Sequence, residues 1–147
     1  MRYLVATVAA ALLCGPAFAD NFNFSSGRVV THRGSNVAVT TGLLNLDKSN
    51  RMTCKSAAGC SLVIQTQVNF EGVNYLTYNS TLCTLVDGVP ADPGCQPMTS
   101  GSSGTVTSFQ GRPSLPMGRH VVQTQINAAN PATISQFQIV YTLYEHE

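Results

Sequence analysis

The segment SLVIQTQVNF, at Ser61–Phe70, is the clearest indication of the fold class because its residues alternate in character. Every second residue from Leu62 to Phe70 is apolar or threonine, and the intervening residues are mostly serine, glutamine and asparagine. Successive side chains of a β-strand point to opposite faces, so this period of two predicts a strand with one buried face.

Nearly the same seven residues occur twice, as VIQTQVN at Val63–Asn69 and as VVQTQIN at Val121–Asn127. Both copies place two glutamines on the side opposite the alternating apolar residues and threonine. Repeat architectures need at least three units, so we interpret the echo as two strands that share an architectural role. The segment TISQFQIVYTLYE, at Thr133–Glu145, alternates in the same way and predicts a third strand.

Shorter strands complete the predicted pattern. They are expected at Arg28–His32, Asn36–Leu43, Tyr75–Val86 and Thr105–Phe109. Turn-forming pairs such as Asp87-Gly88 and Asn130-Pro131 separate the strands, and no amphipathic helix is evident. Many strands with a turn about every ten residues indicate an all-β protein, namely an antiparallel β-sandwich.

The segment LPMGRHVVQTQI, at Leu115–Ile126, has the pattern L-x-x-G-x-H-x-V-x-x-x-I. It resembles the turn and penultimate strand of bacterial immunoglobulin-like and fibronectin type III-like domains, and TLCTLVDG is similar to the end of their third strand. The resemblance covers about half of the chain and implies an immunoglobulin-like binding or assembly module without catalytic residues. The chain has no tryptophan to pack on a core disulfide, so a jelly-roll topology stays open as the alternative.

The N-terminal segment Met1–Ala19 has the features of a secretory signal peptide. Arg2 precedes an apolar stretch, and the small residues A-F-A form an expected cleavage site. Cys14 follows a leucine rather than a small residue, so we expect ordinary export rather than lipidation. Residues 20–147 are then expected to form one β-sandwich domain in the periplasm or outside the cell.

The charge balance excludes several classes of partner. The chain has 8 Lys and Arg against 7 Asp and Glu, and removal of Arg2 with the signal peptide would make the two counts equal. A protein without net positive charge is not attracted electrostatically to nucleic acids or to anionic membranes. The charge balance therefore predicts no nucleic-acid partner. The sequence has no second long apolar run, so we expect no integral membrane segment after signal cleavage, and the oligomeric state stays open.

Four cysteines follow the predicted signal peptide: Cys54, Cys60, Cys83 and Cys95. An even number in an exported protein predicts two disulfides. The spacings C-x5-C and C-x11-C match neither the C-x2-C pairs of structural zinc sites nor the C-x-x-C of redox enzymes. Pairing within Cys54–Cys60 and Cys83–Cys95 is favoured, and the crossed connectivities stay open.

The sequence shows no catalytic constellation. Its carboxylates are scattered, and it has no G-x-S-x-G, so we predict neither an enzyme nor a cofactor. A copper site is the sharpest chemical alternative, because Met117 and His120 lie close in sequence and copper binds both types of side chain. In the competing structural interpretation, Met117 fills the corner of the turn and His120 hydrogen-bonds inside it.

The predicted function is a non-catalytic binding or assembly module that recognises a protein or a glycan. Amide and tyrosyl groups without charge suit polar, water-rich contacts. The candidate binding face comprises Gln65, Gln67, Gln123, Gln125 and Tyr144. A small disulfide-stapled enzyme inhibitor, with the loop between Cys83 and Cys95 as its reactive element, is the remaining alternative.

Overall fold

A computed structural model describes residues 24–71, 80–98 and 104–147. The predicted signal peptide, with Cys14, lies outside the described residues, as does the part of the strand predicted at Tyr75–Val86 that precedes Ser80. Among the residues described, no helix is long and apolar enough to cross a membrane.

The described residues form ten β-strands in two antiparallel sheets. The strands are β1 (Phe24–Val39), β2 (Gly42–Asn45), β3 (Asn50–Cys54), β4 (Cys60–Glu71), β5 (Thr81–Val86), β6 (Val89–Pro90), β7 (Gln96–Pro97), β8 (Thr105–Leu115), β9 (Gly118–Ala128) and β10 (Ala132–His146). Sheet A has the order β1-β10-β4-β8. Sheet B has the order β2-β9-β5-β6, with β3 also paired to β9 and β7 to β5.

Each of the two nearly identical segments lies in a central strand, one in sheet A and the other in sheet B. Val63–Asn69 lies in β4, which pairs with β10 on one side and with β8 on the other. Val121–Asn127 lies in β9, which pairs with β5 on one side and with β2 and β3 on the other. The echo therefore corresponds to a shared position in the fold, as we interpret it from the sequence.

The inward side chains of both sheets meet in one hydrophobic core, whose burial supplies the main stabilising free energy. Its largest fully buried members are Tyr141, Met52, Leu62, Ile64, Leu82, Met98, Ile126, Ile134, Ile139, Leu143, Val39 and Val68. These residues come from both sheets, so the predicted all-β antiparallel sandwich is confirmed.

The strand order distinguishes the two topologies that the sequence leaves open. β2 and β3 pair with successive parts of β9, and β6 and β7 pair with successive parts of β5. Each sheet then has four strand positions, and the first strand pairs with the last, as in a jelly roll. The immunoglobulin-like order, with sheets of strands ABED and CFG, is not the order found.

Both predicted disulfides are present. Cys54 and Cys60 are joined across the turn between β3 and β4, with Cα atoms 5.8 Å apart. Cys83 of β5 is joined to Cys95, which precedes β7, with Cα atoms 4.3 Å apart. These pairings exclude the crossed connectivities.

Several predicted strand boundaries are wrong. β1 continues from Phe24 to Val39, where the sequence predicts two strands separated at residues 33–35. β8 continues to Leu115, beyond the predicted end at Phe109. The sequence analysis missed β3, since its five residues, NRMTC, are too few to show a clear alternation.

A hydrogen-bond network through the core joins the two sheets. Tyr141 of β10 is fully buried and donates its O–H to Asp47 Oδ2 at 2.6 Å. The Thr124 hydroxyl of β9 lies 2.7 Å from the Tyr141 oxygen, and the Thr124 backbone N–H donates to Asp47 Oδ1 at 2.9 Å. Burial, and then the hydrogen bond to the Asp47 carboxylate, raise the pKa of Tyr141, so its phenol stays protonated and can donate.

Tyr141→Phe should lower the free energy of unfolding by about 1–3 kcal/mol, because it removes a buried donor from the Asp47 carboxylate. Urea denaturation measures the loss. Thr142→Val is the matched control, since it removes a hydroxyl from the next, outward position and should change stability by less than about 0.5 kcal/mol. Equal losses in the two variants would contradict a stabilising role for the network.

Candidate functional site

The outward side of sheet A carries three rows of four aligned side chains. Residues directly opposite each other in antiparallel strands point to the same face, so the registers define the rows. The rows are Thr31, Val140, Gln65 and Phe109; Arg33, Gln138, Gln67 and Thr107; and Ser35, Gln136, Asn69 and Thr105. We call these twelve residues the amide face.

The amide side chains of this face stand on its two middle strands. Gln138 of β10 lies opposite Gln67 of β4, and Gln136 lies opposite Asn69. Gln65 extends the series along β4. Neighbouring strands lie about 4.8 Å apart and a strand rises about 3.4 Å per residue, so the amides cover a strip of about 5 by 13 Å.

Shallow depressions follow this strip. One is lined by Gln67, Asn69, Gln136, Phe137 and Gln138, and another by Gln65, Gln67, Gln138 and Val140. Each has a volume of about 60 Å³, which is far below that of a pocket that encloses a ligand. A ligand would therefore lie across the face and insert only small polar groups.

One residue that lines the first depression has an unsatisfied acceptor. Asn69 Oδ1 is buried and has no hydrogen-bond partner among the described residues. A buried amide oxygen without a partner is costly, so a side-chain rotation that exposed this oxygen would let it accept a hydrogen bond from a water or a ligand hydroxyl.

The structure does not bring the predicted binding residues together on one face. Gln65 and Gln67 lie on sheet A, whereas Gln123 and Gln125 lie on β9 in sheet B, opposite Leu85 and Cys83 of β5. The two glutamine pairs therefore point to opposite sides of the sandwich, and the predicted single face is wrong. The physical reason is that two strands with the same alternation belong to different sheets.

Tyr144, the fifth predicted residue, lies on β10 opposite Ser61. It shares the outward side of sheet A with Gln65, but it is four residues beyond Val140, the residue opposite Gln65. It therefore lies past the end of the amide face.

The sequence analysis missed Gln136 and Gln138 as members of the site. The signal is present in SQFQ, where both glutamines occupy the outward parity of the C-terminal strand. Only the pairing of β10 with β4 places them beside Gln67 and Asn69, and strand pairing is not readable from alternation alone.

The corner around Met117 and His120 agrees with the structural interpretation at His120 and differs from it at Met117. The Met117 residue is 62% exposed, so the expectation that it fills the corner is wrong. His120 Nδ1 lies 2.7 Å from Asp87 Oδ2, and its Nε2 lies 2.8 Å from the carbonyl oxygen of Pro116. Both ring nitrogens are thus engaged in hydrogen bonds, and the described residues contain no group of three or more His, Cys, Asp or Glu side chains placed to hold a metal ion.

The pKa values of this pair are shifted in opposite directions. Burial alone lowers the pKa of His120, but hydrogen bonds to Asp87 and to the Pro116 carbonyl, with the Asp87 charge, outweigh burial and raise it. Burial alone raises the pKa of Asp87, but hydrogen bonds from His120 and the Val121 N–H, with nearby positive charge, outweigh burial and lower it. The arrangement therefore favours an imidazolium paired with a carboxylate.

A serine and a histidine that the sequence does not connect lie in contact. Ser61 Oγ is 2.7 Å from His146 Nε2 and donates its own hydrogen to the carbonyl oxygen of Pro113 at 2.7 Å. The hydroxyl of a nucleophilic serine donates to its histidine, whereas here the histidine donates to the serine. We interpret this contact as an anchor for the end of β10.

The loop closed by Cys83 and Cys95 packs against sheet A. Asp92 and Gly111 of β8 exchange two backbone hydrogen bonds of 2.8 and 2.9 Å, and Gln110 Nε2 donates to the Gly94 carbonyl at 2.5 Å. This loop is part of the wall of the sandwich, and its packing does not favour the inhibitor alternative.

Comparisons with known proteins place the fold and leave the function open. No family model matches the chain, and no curated protein matches it in sequence. Among solved structures it is similar to the VP2 subviral particle of infectious bursal disease virus, with a TM-score of 0.52 and 12% identity over 84% of this chain. The chain spans about a third of that capsid protein, 34% of its length.

Two smaller proteins show a weaker likeness. The C-terminal domain of EclA, described as a sugar-binding protein, has a TM-score of 0.45 and 14% identity, over 85% of this chain and 86% of its own. A family 35 carbohydrate-binding module from Clostridium thermocellum has a TM-score of 0.40 and 10% identity, over 78% of this chain and 98% of its own. At such identities the likeness concerns the β-sandwich fold alone.

The His120–Asp87 pair predicts a pH-dependent stability. Because the folded pKa of His120 is raised, its contribution is complete below about pH 6.5 and is lost as the pH rises through the folded value. The contribution of Asp87, whose folded pKa is lowered, is complete above about pH 4 and is lost as the pH falls through its folded value.

The test compares the wild type with His120→Gln, which cannot titrate, in urea unfolding from pH 5.5 to pH 8. The stability difference should shrink by about 1 kcal/mol toward pH 8, the scale of one hydrogen bond. Asp87→Asn removes the charged partner and should flatten the dependence in the same assay. A difference that stays constant over this range would contradict the assignment.

Proposed function

We propose that this protein is an exported, non-catalytic module that binds a glycan chain along the amide face of sheet A. The observation that carries the proposal is the strip of five amide side chains on two adjacent central strands, bordered by shallow depressions. A protein partner is the second candidate, and the test distinguishes it from a glycan.

The chemistry of the strip complements sugar hydroxyls. Each amide side chain offers two N–H donors and one carbonyl acceptor, and each sugar hydroxyl donates and accepts as well. Among the twelve residues of the amide face only Arg33 is charged, so most contacts would be between neutral groups. Such contacts tolerate bridging water, and they suit an extended polar ligand on an open face.

One end of the amide face provides apolar contact. The Phe109 residue of β8 is 61% exposed and lies in the same row as Gln65, and exposed Val63 lies nearby on β4. An exposed aromatic ring offers a flat apolar surface against which a ligand can pack. The C–H faces of a sugar ring would pack against Phe109 while the ring hydroxyls reach the amides.

The composition of the face favours a glycan over a protein. A stable protein interface buries about 800 Å² on each partner around a desolvated core rich in large apolar side chains. Only Val140 and Phe109 of the amide face are apolar, and the strip between them and Ser35 is polar. A face of this kind lacks the apolar centre of a protein interface.

Export agrees with the covalent structure of the domain. Two disulfides persist only in an oxidising compartment, and Met1–Ala19 has the pattern of a signal peptide. The EclA domain and the family 35 module are described as sugar-binding and carbohydrate-binding, and we place this chain in the same broad functional class on the strength of its amide face.

The two nearly identical segments, in β4 and β9, allow a matched pair of double variants to be compared. Gln67→Ala with Gln138→Ala removes two amides of the strip, and Gln123→Ala with Gln125→Ala removes the same groups from the opposite sheet. The first double variant should bind glycan at least tenfold more weakly, because two hydrogen-bonding side chains contribute about 1 kcal/mol each. The second should bind like the wild type.

The purified protein is first screened on a broad glycan array, and affinities for the best polysaccharide are measured by calorimetry. Thermal unfolding confirms that both double variants are folded. Equal weakening in the two variants would contradict the amide face as the site. Absence of binding to every glycan, or capture of a protein by the same face, would contradict glycan recognition.

A further inference from the structure

We infer that the amide face has a subsite for an anionic substituent of the glycan, a carboxylate or a sulfate, at Arg33. This inference rests on the proposed function and names the class of ligand. It follows from the position of Arg33, from the lack of a carboxylate partner for it among the described residues, and from the shape of the surface around it.

Arg33 stands at the edge of the amide face. It lies on β1, the edge strand of sheet A, opposite Gln138 and in the same row as Gln67. The row therefore leads from the neutral amide strip to one exposed guanidinium. A glycan that contacts Gln67 and Gln138 would reach Arg33 at the next strand, about 4.8 Å farther on.

The guanidinium of Arg33 has no carboxylate partner in the described part of the chain, where the one ion pair found joins His120 and Asp87. Glu71, at the end of β4, lies two strands away, and the position on β1 in its row is Ala38. That offset, two strands and five residues, corresponds to about 19 Å, well beyond the Debye length of about 8 Å at physiological ionic strength.

The depression beside Arg33 is larger than the two that follow the amide strip. Its volume is about 380 Å³, and it is lined by Arg33, Gly34, Ser35, Ser135 and Gln136. It is a neighbour of the depression beside Asn69, because Gln136 lines both. A ligand thus meets a positive charge, two hydroxyls and an amide at this end.

The backbone departs from a regular ladder at the same place. Ser135 is the extra residue of a β-bulge in β10, since Ile134 is opposite Phe70 and Gln136 is opposite Asn69. Bulges re-aim side chains and occur often beside binding sites. The Ser135 hydroxyl donates to the backbone carbonyl oxygen of Asn69 at 3.2 Å, and this hydrogen bond links the bulge to β4.

A guanidinium is well suited to this ligand class. Its planar N–H groups match the two oxygens of a carboxylate or sulfate, and two parallel charge-assisted hydrogen bonds can form. The apolar Phe109 lies on the opposite edge strand, three strand spacings and two residues from Arg33, which corresponds to about 16 Å. A glycan that spans both edges would place its sugar ring on Phe109 and its acidic group at Arg33.

The test uses two pairs of polymers with matched backbones: polygalacturonate with its methyl ester, and dextran sulfate with dextran. Affinities of the wild type, Arg33→Gln and Arg51→Gln are measured by calorimetry at low and at physiological salt. Arg51 is the control, because it is an exposed arginine on β3 in sheet B. We expect the wild type and Arg51→Gln to prefer an acidic polymer about fivefold, the scale of a surface ion pair.

Arg33→Gln should bind acidic and neutral polymers with equal affinity, and the preference of the wild type should weaken as salt is added. Preference for polygalacturonate alone would identify the carboxylate, and preference for dextran sulfate alone the sulfate. Equal wild-type affinity for acidic and neutral polymers would overturn the subsite and leave the proposed function intact. A preference for acidic polymers that Arg33→Gln retains would also overturn the subsite. If the protein binds none of the glycans on the array and none of these polymers, both the subsite and the proposed function are overturned.

Discussion

The carboxylate of Asp47 is the constraint on which the rest of the sandwich depends. Its two oxygens accept hydrogen bonds from the Tyr141 hydroxyl of sheet A and the Thr124 backbone N–H of sheet B. Asn50 Nδ2 donates to the same carboxylate at 2.6 Å, and the Leu46 N–H donates to the Thr124 carbonyl at 2.9 Å. The short segment between β2 and β3 therefore supplies the hydrogen bonds that a continuous strand would have made to β9.

This network also determines which side chains of sheet A point outward. Tyr141 must point inward to reach Asp47. The two residues that flank it along β10, Val140 and Thr142, therefore point outward. The pairing of β10 with β4 then aligns Gln138 with Gln67. The amide face is thus a consequence of the parity of β10, in which buried Tyr141 shares the inward side with Ile139 and Leu143.

The sequence predicts the strands well where they are long and alternate strictly. β4, β9 and β10 were predicted within a few residues, and both disulfides have the favoured connectivity. Short strands such as β3 have too few residues to show a period, and the outward exposure of Met117 depends on the turn between β8 and β9. Local sequence patterns therefore predict long, strictly alternating strands, but they do not predict short strands or the exposure of a side chain in a turn.

The binding face illustrates a different limit. Alternation correctly indicates that Gln65, Gln67, Gln123 and Gln125 all point away from the core, but it does not indicate which sheet each strand joins. Strand pairing is a non-local property, set by how the core closes between the sheets. The twin segments therefore share a position in the fold, and they present their glutamines to opposite sides.

Side-chain amide resonances offer the most direct test of where a ligand binds. The protein, labelled with ¹⁵N, is titrated with a short oligosaccharide of the best-binding polysaccharide, and the NH₂ signals of its glutamines are followed by NMR. We expect the signals of Gln65, Gln67, Gln136 and Gln138 to shift while those of Gln123 and Gln125 stay in place. Shifts confined to Gln123 and Gln125 would contradict the assignment of ligand binding to sheet A.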